Sequence, residues 1–180
     1  MGEYPRDFMI QSKTKPFCEH LLNLSLELGE GLFWDSEKEL VWLVDITNKT
    51  LVSVCLNKKE VRHFKMPDLI SWVIKIKNSE SLLVGLKHRV CIFNPNNREL
   101  ENYHEYNFKN SHIRLNDAKS DHLGQVWMGT MNYKNPKKDD GELFLLSNKK
   151  VRKIDDGYNI TNGPAISPCN RFLLHNDSLR

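Results

Sequence analysis

The feature that most constrains the fold of this chain is a succession of short apolar runs, separated by turn residues about every ten positions. This rhythm is typical of all-β proteins, and no window of the sequence has sustained helical periodicity. Asn48-Lys49, Asn148-Lys149 and Asp156-Gly157 lie between runs and suit tight hairpin turns. The runs predicted as strands are Leu22 to Leu28, Leu40 to Ile46, Leu51 to Leu56, Leu69 to Ile76, Ser81 to Leu86, Arg89 to Phe93, Gln125 to Met131, Glu142 to Leu146 and Phe172 to His175.

A second, longer period is superimposed on the runs. The apolar runs around Trp42, Leu83, Trp127 and Leu174 recur at roughly 40 to 47 residues, which is the period of a four-stranded propeller blade. Because the innermost strands of a propeller line one channel, residues that are far apart in sequence meet at its mouth. Two alternatives are a β-sandwich whose acidic residues face water and a WD-repeat binding propeller, although no Gly-His to Trp-Asp pairing recurs here.

Composition and charge exclude several classes of protein. With 39% hydrophobic and 27% charged residues, the 180-residue chain can form a folded core. Its 26 basic and 23 acidic residues are spread along the sequence, without the Lys/Arg stripe that nucleic-acid binding needs. No segment approaches the length of a membrane-spanning or signal-peptide apolar core. We therefore expect no nucleic-acid or membrane partner, and a cytoplasmic location.

The four cysteines, Cys18, Cys55, Cys91 and Cys169, are too widely spaced for a zinc finger or a disulfide framework. Reduced cytoplasmic thiols are the simplest interpretation. Residues 1–20 are polar and read as an N-terminal extension, and residues 21–180 as the β-domain.

The most distinctive stretch of sequence is residues 112–131, in which a polar cluster precedes the short apolar run Val126 to Met128. Asn116 and Asp117 at a sheet edge can present oxygen atoms to a ligand, and the planar guanidinium of Arg114 can hold hydroxyls or carboxylates. The alternative is an Asx-turn, in which Asn116 and Asp117 bind their own backbone before a hairpin.

This stretch resembles the signature of the gluconolactonase, regucalcin and senescence-marker-protein family of sugar-lactone hydrolases. The resemblance rests on Arg114-x-Asn116-Asp117, Asp121, Gly124, Trp127 and Gly129-Thr130-Met131. Three further segments resemble the family in the same order: Leu28-Gly29-Glu30-Gly31 with Trp34, Val44-Asp45-Ile46, and Asn162-Gly163 with Asn176-Asp177-Ser178. The chain departs from the family pattern at Leu32, Ala118, Pro164 and Ile166.

The fold implied by this resemblance is a six-bladed β-propeller, which would need about 270 residues at the period above. The 180 residues would supply about the first three and a half to four blades. We therefore expect a C-terminally truncated product, a fragment, or a split protein completed by another chain. Open propeller edges would then favour self-association or binding of a complementing chain.

The resemblance also implies a metal site. Glu30, Asn162 and Asp177 match the family's ligands, an all-oxygen set suited to one divalent ion such as calcium, zinc, manganese or magnesium. Taken singly, these residues can equally be an exposed strand acid, a left-handed turn residue and a cap.

The implied reaction is metal-dependent hydrolysis of a small-molecule sugar lactone. The metal would polarise the lactone carbonyl, with Asp177 as general base for the attacking water. Arg114 and Asn116 would hold the sugar hydroxyls. The alternative is an inactive or non-catalytic propeller fragment that binds metal or a partner chain.

A further departure from the family pattern is Lys134, three residues after Met131, where the family often has an acidic residue. A cation at that position predicts a preference for lactones that carry a carboxylate or phosphate. The alternative is that Lys134 belongs to a charged loop outside the site.

Overall fold

The computed structural model describes residues 20–180, so all but the last residue of the expected N-terminal extension lies outside the described residues. The described residues form three four-stranded antiparallel sheets and one two-stranded sheet, with strands adjacent in sequence adjacent in each sheet. This is the predicted all-β arrangement, three complete propeller blades followed by the inner half of a fourth. No helix in the described region is long and apolar enough to span a bilayer.

Blade 1 contains β1 (Gly29–Asp35), β2 (Leu40–Asp45), β3 (Thr50–Cys55) and β4 (Glu60–Lys65). Blade 2 contains β5 (Ile70–Lys75), β6 (Leu82–Leu86), β7 (Arg89–Phe93) and β8 (Leu100–Glu105). Blade 3 contains β9 (Ile113–Ser120), β10 (Val126–Asn132), β11 (Gly141–Ser147) and β12 (Lys150–Tyr158), and the half-blade contains β13 (Thr161–Ile166) and β14 (Leu173–Asp177). Trp42, Leu83, Trp127 and Leu174 all lie on the second strand of a sheet, which explains their period.

The core lies between blades. One cluster, including Trp42, Phe64, Val84 and Phe93, fills the space between blades 1 and 2. A second cluster, including Leu115 and Met128, joins blades 2 and 3. Burial of each large apolar side chain stabilises the fold by roughly 1.5 to 3 kcal/mol, so these interfaces hold neighbouring blades together.

Besides the strands that were not predicted from the sequence, two sequence predictions differ from the structure. Leu22 to Leu28 does not form a strand; its Leu22, Leu24 and Leu26 pack on the face of blade 1 that is turned away from blade 2. Asp156-Gly157 is not a hairpin turn either. Gly157, with φ of 84°, lies at a register shift inside β12, where the extra residue is accommodated as a bulge.

The innermost strands of the four sheets all begin at one end of the molecule, and the candidate site lies at that end. β1 packs beside β5, β5 beside β9 and β9 beside β13, so the beginnings of these strands meet. The ends of the second strands reach the same edge because every pairing within a blade is antiparallel. Side chains at these positions therefore converge, as the propeller interpretation predicts.

Candidate functional site

A pocket of about 260 Å³ opens where the inner strands begin. Four of the five residues predicted from sequence line it: Glu30, Arg114, Asn116 and Asn162. They come from blade 1, blade 3 and the half-blade and are up to 132 positions apart in sequence. The fold thus brings together most of the predicted site.

β-bulges position these residues. The pairing register shifts at the same point in β1, β9 and β13, between Glu30 and Phe33, around Asn116, and between Asn162 and Ala165. A bulge re-aims the side chains beside it, which is why bulges are common next to functional sites. Gly31 and Gly163, directly after Glu30 and Asn162, have φ of 62° and 58°, a conformation that other residues adopt at a cost. Glu30 and Asn162 are therefore equivalent positions of two blades.

Arg114 forms the floor of the pocket and is only 6% exposed. Its Nη1 donates to the carbonyl oxygen of Leu115 and to Oδ1 of Asn116, both at 2.8 Å, and lies 3.4 Å from Oγ of Ser71. These bonds all use one nitrogen, so in the region that the structure describes the other guanidinium N–H groups have no protein acceptor. Burial lowers the pKa of Arg114 to about 10, while the charge of Glu30 raises it, so the guanidinium stays protonated at neutral pH.

Asn116 connects the floor to the half-blade. Its Nδ2 donates to the carbonyl oxygen of Thr161 at 2.7 Å, while its Oδ1 accepts from Arg114. Thr161 in turn donates through Oγ1 to the carbonyl oxygen of Thr130 at 2.9 Å. Gly129 permits this close approach, because a Cβ there would lie 1.8 Å from Oγ1 of Thr161. The Gly129-Thr130 pair thus acts in docking β13 onto blade 3.

The structure does not bring Asp177 together with the other four residues. Its Oδ2 accepts the backbone N–H of Asn159 at 2.8 Å, and its Oδ1 accepts those of Ile160 at 3.0 Å and Leu179 at 3.4 Å. Asp177 does not line the pocket, and its side chain is 8% exposed. Burial raises its pKa, but these hydrogen bonds outweigh burial and hold the pKa below the ordinary value of an aspartate.

Three further polar residues line the pocket: Ser71 and Ser178, for which no role was predicted, and Asp117, which was predicted with Asn116 to present oxygen atoms to a ligand. Asp117 accepts the backbone N–H of Ala118 and that of Gly163, each at 2.8 Å, and so ties β9 to the half-blade. The Asn-Asp pair and the Asp-Ser pair were visible in the sequence. Ser71 gave no signal, because a serine inside an apolar strand resembles any buried hydroxyl.

The donor chemistry of the pocket partly fits the implied metal. The Glu30 carboxylate is exposed and, within the described part of the chain, its oxygens accept no hydrogen bond. The Asn162 amide donates to Oγ of Ser178 at 3.3 Å, and its oxygen has no donor among the described residues. These two oxygen donors suit a hard cation. Nowhere in residues 20–180 do three or more His, Cys, Asp or Glu side chains form a group that could hold a metal.

Comparison with known proteins agrees with this geometry. Residues 28–180 match the sequence model of the family described as SMP-30/Gluconolactonase/LRE-like region. The chain is 26% identical over 136 residues to a Bacillus subtilis protein named "Putative sugar lactone lactonase YvrE", covering 76% of this chain and 46% of that protein.

Solved structures of similar fold include a luciferin-regenerating enzyme, with TM-score 0.80 and 28% identity over 85% of this chain and 53% of that one. The calcium-binding protein regucalcin from Agrobacterium tumefaciens has a TM-score of 0.81 and 22% identity, over 86% of this chain and 52% of that one. The chain therefore spans about half the length of these relatives.

Proposed function

This chain belongs to the SMP-30/gluconolactonase/LRE-like family, and on that premise we propose that the protein hydrolyses a sugar lactone with the help of one divalent metal ion. The observation that carries the proposal is the convergence of a buried guanidinium, a free carboxylate and an amide in one pocket. The 26% identity, over 76% of this chain, to the protein named "Putative sugar lactone lactonase YvrE" supports it.

Recognition of the substrate falls to Arg114 and Asn116. The unbound N–H groups of the guanidinium can donate to ring hydroxyls or to the lactone oxygens, and Arg114 is held in place by Asn116 and Leu115. Because the guanidinium is already ordered and buried, little side-chain entropy is lost when a ligand binds. A positive charge in a pocket of low dielectric also stabilises the negative charge that develops when water adds to the carbonyl.

The metal would be held by Glu30 and Asn162. When bound, calcium, zinc, manganese or magnesium would polarise the lactone carbonyl. The two donors reach the pocket from equivalent bulges, so β1 and β13 must both be in place for the site to form.

A carboxylate is needed to accept a proton from the attacking water. Glu30 and Asp117 line the pocket and are candidates by position. Asp177, the base expected from the sequence, is tied to backbone amides, and its lowered pKa makes it a weaker proton acceptor. We therefore favour Glu30 or Asp117 as the base, and the test below uses a variant of Glu30.

The test is hydrolysis of gluconolactone by the purified chain, with and without each divalent ion. Glu30→Gln should abolish the metal-dependent rate. Glu27→Gln, the same change outside the pocket, should leave it intact. If the chain binds metal but hydrolyses neither gluconolactone nor an anionic sugar lactone with any ion, the alternative of a non-catalytic propeller fragment is correct.

A further inference from the structure

Two lysines contact the ring of Tyr133, which lies two residues beyond the pocket-lining Met131; we call this position the rim of the pocket. The Nζ of Lys87 lies 5.2 Å from the centroid of the Tyr133 ring, and the Nζ of Lys134 lies 5.5 Å from it. Tyr133 is half-buried and Lys134 is exposed. In the region that the structure describes, neither lysine forms a salt bridge, so each ammonium lies near Tyr133 without a carboxylate partner.

Backbone hydrogen bonds fix this pair of lysines next to the pocket. Met131, which lines the pocket, is the cross-strand partner of Arg114. Two residues further on, the N–H of Tyr133 donates to the carbonyl oxygen of His112 at 3.0 Å, so the ladder continues outward by about 7 Å. The carbonyl oxygen of Lys87 accepts the N–H of Leu115 at 3.0 Å, which holds the Lys87 turn against β9.

The pocket lining contains two carboxylates and neither of these lysines, while Asp140, on the loop of Lys134, accepts from Asn132 at 2.8 Å and lies 3.7 Å from Nζ of Lys138. Glu30 and Asp117, the two carboxylates of the pocket, belong to the bulged segments of the inner strands. Lys87 and Lys134 lie at the rim beyond Arg114. A bound molecule with an anionic end would therefore place that end toward the lysines and away from the carboxylates.

We propose that the substrate of this pocket is a sugar lactone that carries an anionic group, a carboxylate or a phosphate, and that Lys87 and Lys134 recognise this group. The inference rests on the proposed function and names its substrate class. A lysine ammonium suits a phosphate or carboxylate as a point charge, and both ammoniums lie within 5.5 Å of the centroid of the Tyr133 ring. At rim exposure each lysine should contribute about threefold to affinity.

The test is direct binding of glucose 6-phosphate and of glucose, measured by calorimetry at low ionic strength. Neither sugar is a lactone, so the result does not depend on hydrolysis. We expect the phosphate to bind at least about fivefold more tightly, and the preference to fall toward one in the Lys87→Gln/Lys134→Gln double variant. Lys150→Gln, at the opposite end of blade 3, is the charge-matched control and should retain the preference.

Equal binding of the two sugars, no saturable binding of glucose 6-phosphate, or a preference that survives the double variant would each overturn the inference. Failure of the proposed function has a different signature: the phosphate preference would be present and dependent on the two lysines, while neither neutral nor anionic lactones would be hydrolysed.

Discussion

Blade 1 and the half-blade begin with the same device. Asp45 ends β2 and pairs with Gly29, and Asp177 ends β14 and pairs with Thr161. Each aspartate accepts the N–H groups of the two residues before the first strand of its sheet, Glu27 and Leu28 in blade 1 and Asn159 and Ile160 in the half-blade. Asp45 is thus the structural counterpart of Asp177, and no catalytic role was predicted for Asp45.

The two aspartates differ in how completely they are enclosed. Asp45 also accepts the backbone N–H and the side-chain amide of Asn48, and it is 2% exposed. Asp177 lies in a sheet of two strands, beside the exposed Phe172, Leu174 and Leu179. Asp45 is the more enclosed of the two although no catalytic role was predicted for it, so a carboxylate at a strand end can be required by the fold alone. The role of Asp177 as metal ligand and base stays a prediction from sequence.

The largest effect should follow removal of these carboxylates. Asp45→Ala leaves three backbone N–H groups without their acceptor and should lower the free energy of unfolding by about 3 kcal/mol. Asp177→Ala should cost about 1 to 2 kcal/mol, because the Asp177 carboxylate is less completely enclosed than that of Asp45 and its third hydrogen bond, from Leu179, is long at 3.4 Å. Urea denaturation measures both. Unchanged stability in Asp177→Ala, together with lost metal affinity, would instead support the ligand role.

The packing of β13 against blade 3 can be disrupted without changing either aspartate. Gly129→Ala places a Cβ within 1.8 Å of the Thr161 hydroxyl, and such overpacking costs about 2 kcal/mol. The shift should also disturb the hydrogen bond from Asn116 to Thr161 and weaken ligand binding in the pocket. Removing the Thr161 side chain as well, in Gly129→Ala/Thr161→Gly, relieves the clash and should recover part of the lost stability. A Gly129→Ala variant as stable as the wild-type protein would mean that β13 is not seated on blade 3.

A smaller effect is expected at the two equivalent bulges. Glu30→Gln removes a charged oxygen donor and should weaken divalent-metal binding about tenfold, whereas Asn162→Ala removes a neutral one and should weaken it less. Arg114→Ala should change metal affinity least, because it removes no donor. Calorimetric titration with calcium and manganese gives the order. If Asp177→Asn weakened binding as much as Glu30→Gln, Asp177 would have to turn toward the pocket in solution.

The middle strands of the three complete blades could be predicted from the sequence because both of their faces are covered, by neighbouring sheets or, on one face of blade 1, by Leu22, Leu24 and Leu26. Their apolar runs, such as Leu82 to Leu86, are continuous and easily recognised. The outer strands β4, β8 and β12 were missed, since one side of each faces water and the residues are largely charged or polar. β1, β9 and β13 were missed for another reason: bulges and site residues interrupt their alternation.

The candidate site was predicted mainly through resemblance. Glu30, Arg114, Asn116 and Asn162 were found because short motifs surround them, and the fold brings all four to one pocket. The orientation of Asp177 could not be read from the sequence, because the amides that bind its carboxylate belong to a segment 17 to 18 residues earlier. The Lys87 and Tyr133 contact likewise depends on the packing of blade 2 against blade 3.

The smallest effect we expect concerns stability in acid. The pKa values of Asp45 and Asp177 are both lowered in the folded protein, because their hydrogen bonds outweigh the opposing effect of burial. The stabilisation from each is therefore complete above the ordinary aspartate pKa of about 4 and is lost as the pH falls through the lower folded value. Asp45→Asn and Asp177→Asn cannot titrate, so each should flatten the decline in urea midpoint between about pH 5 and pH 2, Asp45→Asn more strongly. Asp139→Asn, at an exposed loop position, is the control; an Asp177→Asn profile identical to that control would mean that the half-blade lacks the hydrogen bonds that Asp45 forms in blade 1.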